Sequence, residues 1–129
     1  MANPMQRQKI LMVDDTEVYL YTLNSTLKED YDTIIAKSGE EGLDTARLVM
    51  PDLILLDVMM PGLSGYDVLE ALKADEKLKS IPVILISGKD SDENEARGYE
   101  LGAVDYIKKP FVRTEVKSRI DSVMKASTA

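Results

Sequence analysis

The chain contains no cysteine, no histidine, no tryptophan and only one phenylalanine. The lack of cysteine excludes disulfides and thiolate metal sites, and it suits a reducing compartment. The lack of histidine means that the chain cannot itself provide an imidazole base, an imidazole metal ligand or a phosphohistidine. Aromatic residues are 5% of a sequence that is 44% hydrophobic, so its core must be aliphatic, built from Leu, Ile, Val, Met and Ala. Positive charge is also scarce. Lys and Arg number 16 against 23 Asp and Glu, for a net charge of -7, which argues against nucleic-acid binding through a basic surface. The longest apolar runs are about five residues, far short of the roughly 20 that span a bilayer. Met1 to Lys9 carries no hydrophobic signal segment, and no phosphate-binding Gly-x4-Gly-Lys-Ser/Thr loop occurs. These absences lead us to expect a soluble, cytoplasmic protein without a membrane or nucleic-acid partner. Its 129 residues predict one domain over 1–129, with a core from about residue 8 to 125.

What is present is a regular alternation. Short apolar runs occur at Ile10-Leu11-Met12-Val13, Thr33-Ile34-Ile35-Ala36, Leu53-Ile54-Leu55-Leu56, Val83-Ile84-Leu85-Ile86 and Tyr106-Ile107. They are rich in β-branched residues and continuous rather than alternating, the pattern of strands buried on both faces of a parallel sheet. Helical patterns separate them. The first places Leu20, Leu23 and Leu27 on one face. The second opens on Ser38-Gly39-Glu40-Glu41, a capping-box pattern, continues through Leu43, Ala46 and Met50, and is stopped by Pro51. The third opens on Ser64-Gly65-Tyr66-Asp67 and carries Val68, Leu69 and Leu72. The fourth, near Ser91 to Leu101, is poor in apolar residues, and the fifth has a stripe of Val112, Val116, Ile120 and Val123. Five β-α repeats predict an α/β fold with helices on both faces of a parallel sheet. The flavodoxin-like doubly wound order 2-1-3-4-5 is the leading candidate.

The polar residues that end these runs carry the chemistry. Asp14 and Asp15 follow Val13, Asp57 follows Leu56, Ser87 follows Ile86, and Lys108 and Lys109 follow Ile107. In a doubly wound sheet, ligands bind beyond the carboxyl ends of the strands, so three carboxylates, a hydroxyl and an ammonium should converge on one rim. Crowded carboxylates need a cation or a proton. An all-oxygen donor set favours Mg²⁺ or Mn²⁺ over Zn²⁺. A carboxylate beside such a metal, with a lysine and a hydroxyl opposite, can act as the nucleophile toward a phosphoryl group. Each residue also has a plainer reading. Asp14 or Asp15 could cap a helix, Asp57 and Ser87 could serve turns, and Lys109 could be a solvated charge. Their joint placement at four strand ends favours the site.

In those same segments the chain resembles the receiver domain of bacterial two-component response regulators, from about Lys9 to Val123. The resemblance rests on Ile10 to Asp15, on Leu53 to Asp57 with Val58-Met59-Met60-Pro61-Gly62-Leu63-Ser64-Gly65, on Ile81 to Gly88, and on Gly102 to Phe111. It implies that Asp57 accepts a phosphoryl group from a phosphohistidine on a sensor histidine kinase or phosphotransfer protein. It implies Mg²⁺ held by Asp15, Asp57 and the backbone carbonyl of Met59, with Asp14 acting mostly through water. Lys109 would bind a phosphoryl oxygen, Ser87 would swing toward the phosphoryl group, Tyr106 would turn inward, and the Lys109-Pro110 bond would be cis. A receiver of this kind is a switch rather than an enzyme, and it regulates a partner protein or an output domain. It can dimerise through its fourth helix, fifth strand and fifth helix.

The chain departs from the family pattern at Gly88, where a small residue, usually alanine, follows the switch hydroxyl; glycine adds backbone freedom there. Met59, two residues past Asp57, cannot orient a water, and Lys89 lies two past Ser87. These positions tune phosphoryl lifetime in the family, so we expect slow to intermediate self-dephosphorylation. Met59 also argues against an aspartyl-phosphate phosphatase of the haloacid-dehalogenase kind, whose motif has a second Asp at that position. A receiver-like module that is never phosphorylated is disfavoured, since every site position holds a competent residue. Lys73-Ala74-Asp75-Glu76 and Val116 to Ile120 resemble receivers joined to domains that make or degrade cyclic di-GMP. The chain could therefore act alone or as a piece of a longer regulator.

Overall fold

The computed structural model describes residues 7–88 and 92–128. The elements run β1 Lys9–Val13, α1 Glu17–Leu27, β2 Asp32–Ala36, α2 Gly39–Val49, β3 Leu53–Asp57, α3 Gly65–Ala74, β4 Val83–Ser87, α4 Asp92–Glu100, β5 Asp105–Lys108 and α5 Arg113–Thr128. The strands form one sheet in the order β2-β1-β3-β4-β5, and every pairing is parallel. This is the expected flavodoxin-like α/β arrangement. The order reverses at β1, which lies between β2 and β3, so β1 and β3 end side by side at the switch point.

Alternate residues of each strand point to opposite faces, and the two faces fill two aliphatic layers. Leu11, Val13, Ile54, Leu56, Val83 and Leu85 pack with Leu43 and Ala46 of α2 and with Val68, Leu69 and Leu72 of α3. Ile10, Met12, Leu53, Leu55, Ile84, Ile86 and Ile107 pack with Leu20, Leu23 and Leu27 of α1 and with Val116, Ile120 and Met124 of α5. All five residues of β3 and of β4 are buried, and the runs that read as continuous are the ones sandwiched between helix layers.

The edge strand β2 departs from that reading. Only Ala36 is buried there and Ile35 is exposed, because β2 has a neighbour on one side alone. The α2 helix ends at Val49. Met50 adopts a left-handed conformation (φ 49°) as its C-cap and is exposed, rather than continuing the apolar stripe. Val112 precedes α5 and is also exposed; the buried stripe of that helix is Val116, Ile120 and Met124. At the start of α2 the Ser38 side chain accepts from the Glu41 N–H, the forward half of the expected box. Both halves of a capping box are made at α3, between Ser64 and Asp67. Ser91, where the fourth helix was expected to start, and Lys89 lie outside the described residues.

Candidate functional site

Three strand ends and one loop bring the expected groups together. Asp14 follows β1, Asp57 ends β3 and Ser87 ends β4; all three are buried, whereas Asp15 is exposed. Lys109 follows β5, where its backbone N–H donates to the Ser87 carbonyl at 2.7 Å. The Lys109-Pro110 bond is cis, as expected. The lysine side chain enters the rim and sits between the two buried carboxylates, with Nζ 3.0 Å from Asp14 Oδ2 and 3.3 Å from Asp57 Oδ1. Asp14, Asp15 and Asp57 each offer a carboxylate oxygen, and these oxygens lie within 4.8 Å of one another.

Two of the plainer readings fail, since Thr16 rather than Asp14 or Asp15 is the N-cap of α1 and the Lys109 side chain is buried rather than solvated, but the two buried aspartates do serve turns. Asp14 Oδ1 accepts from the Thr16 N–H at 2.9 Å, and Asp57 Oδ1 accepts from the Met59 N–H at 3.4 Å. Each aspartate thus spends one oxygen on its own turn, which fixes the direction of the other. Turn chemistry and site chemistry are two uses of one carboxylate.

The electrostatics follow from the count of charges. Among the described residues three acids share one lysine, so negative charge is left over there. Burial first, and then the charge of Asp14, push the Asp57 carboxyl up from 3.8 to about 6, against the opposing pull of Lys109. Carboxylates crowded in this way could hold a further cation. The donor set is all oxygen, which fits a hard divalent ion such as Mg²⁺.

Ser87 is fully buried, and Tyr106 on β5 is buried with its ring turned into the α2–α3 layer. Tyr66 of α3 lies beside Tyr106. Burial first, and then Tyr106, raise the proton affinity of the Tyr66 hydroxyl. That hydroxyl donates to the Asn94 carbonyl in α4 at 2.9 Å, and Arg97 of α4 stacks on the Tyr66 ring at 4.3 Å. A Cβ added at Gly88 would meet nothing within 4 Å, so the site has space for the alanine that is usual there.

One neighbour of the site went unread in the sequence. The Tyr19 ring lies against Lys109, with Nζ 4.0 Å from the ring centroid. Tyr19 sits beside Leu20 in α1 and looks like one more residue of an amphipathic helix; nothing in its spacing singles it out.

A family model of the response regulator receiver domain matches residues 10–121. The chain belongs to the response regulator receiver domain family. Receivers are phosphoacceptor switches of two-component signalling, and this one is CheY-like in fold. It is 40% identical over 121 residues to the alkaline phosphatase synthesis transcriptional regulatory protein PhoP of Bacillus subtilis, a match covering 93% of this chain and 50% of that protein. It is also 40% identical over 111 residues to a probable cyclic di-GMP phosphodiesterase of Vibrio cholerae, covering 86% of this chain and 25% of that protein. Among solved structures, the receiver domain of the Francisella response regulator 1452 matches with a TM-score of 0.87 at 32% identity, covering 94% of this chain and 99% of that one. The receiver thus spans half or less of the length of these two curated relatives.

Proposed function

We propose that this receiver takes a phosphoryl group on Asp57 from a phosphohistidine of a histidine kinase or phosphotransfer protein, and that the modified state regulates a partner or an output domain. The observation that carries the reading is the buried Asp57 carboxylate held beside Lys109 in a pocket with two further acids. A carboxylate oxygen of Asp57 attacks phosphorus, and the electron pair of the breaking P–N bond returns to the imidazole nitrogen. Lys109 neutralises a phosphoryl oxygen as Asp57 gives up its charge, and the Ser87 hydroxyl donates to another. Asp15, Asp57 and the Met59 carbonyl would hold Mg²⁺, with Asp14 helping through water. When bound, the ion supplies charge neutralisation to the phosphoryl oxygens.

Tyr106, already buried with its ring turned inward, packs beside Tyr66, through which a change at the site is reported to α4, whose sparse apolar content suits an element of low local stability. A dimer of the activated chain would use α4, β5 and α5. In that face Arg119 pairs with Asp105 at 2.6 Å within the chain. We place the receiver in the cytoplasm, as one domain that acts alone or within a longer regulator. Among the described residues no helix is long and apolar enough to cross a membrane.

Intact mass after incubation with acetyl phosphate and Mg²⁺ tests the proposal. The expected result is a gain of one phosphoryl group, lost in Asp57→Ala and in EDTA. No gain with any of a range of donors favours a module that acts by contact alone.

The lifetime of the product is a second test. Met59 is exposed beside the acceptor and has no group that can align water. An amide at that position can hydrogen-bond the attacking water, and one such bond corresponds to about a fivefold change in rate. Met59→Asn should therefore lose its phosphoryl group about fivefold faster than the parent, as followed by decay of the phosphorylated mass.

A further inference from the structure

We propose that Tyr19 is a positioning residue for Lys109, holding its ammonium over the acidic pocket while leaving its N–H donors to oxygen ligands. The inference rests on the phosphoacceptor reading of Asp57. Its observation is independent of that reading: Nζ of Lys109 lies 4.0 Å from the Tyr19 ring centroid, well inside the range of a cation–π contact. Such contacts strengthen when the cation is shielded from water, and the Lys109 side chain is only 9% exposed.

The ring is itself braced. Phe111 packs against it with centroids 5.6 Å apart and the planes tilted by 52°. Its place in the first turn of α1 is fixed by the Tyr19 N–H, which donates to the Thr16 carbonyl at 3.1 Å. The Thr16 N–H in turn donates to Asp14. Tyr19 is therefore connected to the acidic pair on one side and to the loop that carries Lys109 on the other.

An ammonium has three N–H donors. Asp14 and Asp57 take two of them, and the ring face lies against the cation without competing for either. This matters once a divalent cation draws the carboxylates to itself. A lysine held by carboxylates alone would then lose its anchors, and its flexible stem would let it leave the pocket. With the ring in place the cation keeps its position, and its donors are free for phosphoryl oxygens. Tyr19 acts through Lys109, the site residue against which its ring lies.

The test compares the full chain with Tyr19→Phe, which keeps the ring face, and Tyr19→Leu, which keeps only bulk. Phosphorylation by acetyl phosphate with Mg²⁺ is followed by intact mass over a range of donor concentrations. Tyr19→Leu should lower the rate at saturating donor about fivefold, and Tyr19→Phe should stay within about twofold of the parent. A readout without phosphorylation is the proton spectrum of Lys109. Its ε-methylene signal should be shifted upfield by the ring in the parent and in Tyr19→Phe, and the shift should vanish in Tyr19→Leu. A parental rate in Tyr19→Leu, or an unshifted Lys109 signal in the parent, overturns the inference alone. A parent that takes up no phosphoryl group overturns the acceptor reading, and the positioning role with it.

Discussion

Gly65→Ala should lower the unfolding free energy by about 3 kcal/mol and impair phosphorylation along with it. An alanine Cβ at this position would lie 2.3 Å from the Asp57 carbonyl oxygen, 2.7 Å from Val58 Cα and 2.9 Å from the Asp57 carbonyl carbon. All three atoms are backbone, so no rotamer change relieves the overlap. The peptide they belong to is also pinned: the Val58 N–H donates to the Ile86 carbonyl at 3.0 Å, and the Gly65 N–H donates to the Val58 carbonyl at 2.9 Å. Overpacking typically costs about 1–3 kcal/mol, and a rigid partner puts this case at the upper end. That is a large share of the roughly 5–15 kcal/mol that holds a domain folded.

Relief must come from moving the end of β3 away from the start of α3, and that end carries Asp57. Gly88→Ala is the control. Nothing lies within 4 Å of its added Cβ, so its stability should stay within about 0.5 kcal/mol of the parent or rise slightly. Urea unfolding followed by circular dichroism reads both variants, and acetyl phosphate labelling reads the site. A Gly65→Ala chain that unfolds at the parental urea concentration would mean that the α3 junction yields more easily than this geometry allows.

The same junction shows what a sequence can and cannot disclose. The Ser64-Gly65-Tyr66-Asp67 pattern announces a helix start, and the capping box forms as read. It does not announce that Gly65 is pressed against the carbonyl of Asp57, since that contact depends on where β3 ends. Strand identity was legible because β1, β3 and β4 are buried on both faces and so carry unbroken apolar runs. β2 carries a similar run but lies at the edge, a position that follows from the expected order 2-1-3-4-5 and not from the run itself. Asp14, Asp57, Ser87 and Lys109 were legible because strand ends converge in this topology. Tyr19 reaches the rim from a helix, where an aromatic residue is ordinarily packing, and only the path of the Lys109 side chain gives it a second use.

Metal-free stability should rise as the pH falls from 7.5 to 5, and Mg²⁺ should reverse that trend. Asp57 is pushed up to about 6, by burial first and by Asp14 second, with Lys109 opposing. A carboxyl whose proton affinity is higher in the folded chain than in the unfolded one favours folding when protonated. Its contribution is complete below 3.8 and is lost as the pH rises through 6. Between pH 7.5 and 5 the gain should be about 1 kcal/mol, after allowance for screening by water at the pocket mouth.

Among the described residues Asp14, Asp15 and Lys109 face Asp57. Other displaced groups titrate elsewhere. Asp121 is lowered by its Tyr31 and Lys117 hydrogen bonds, against the opposing effect of its burial, and Tyr31 is raised to about 12. Metal binding requires the deprotonated carboxylates, so stabilisation by Mg²⁺ grows with pH. It amounts to about 2.7 kcal/mol when the ion is at a hundred times its dissociation constant. Urea midpoints in EDTA and in Mg²⁺ should therefore diverge above pH 6 and converge near pH 5. Asp57→Asn should flatten the EDTA series. If the slope survives in that variant, the titrating group is not Asp57. If Mg²⁺ adds nothing at pH 7.5, the three carboxylates are a strained cluster without a metal to relieve them.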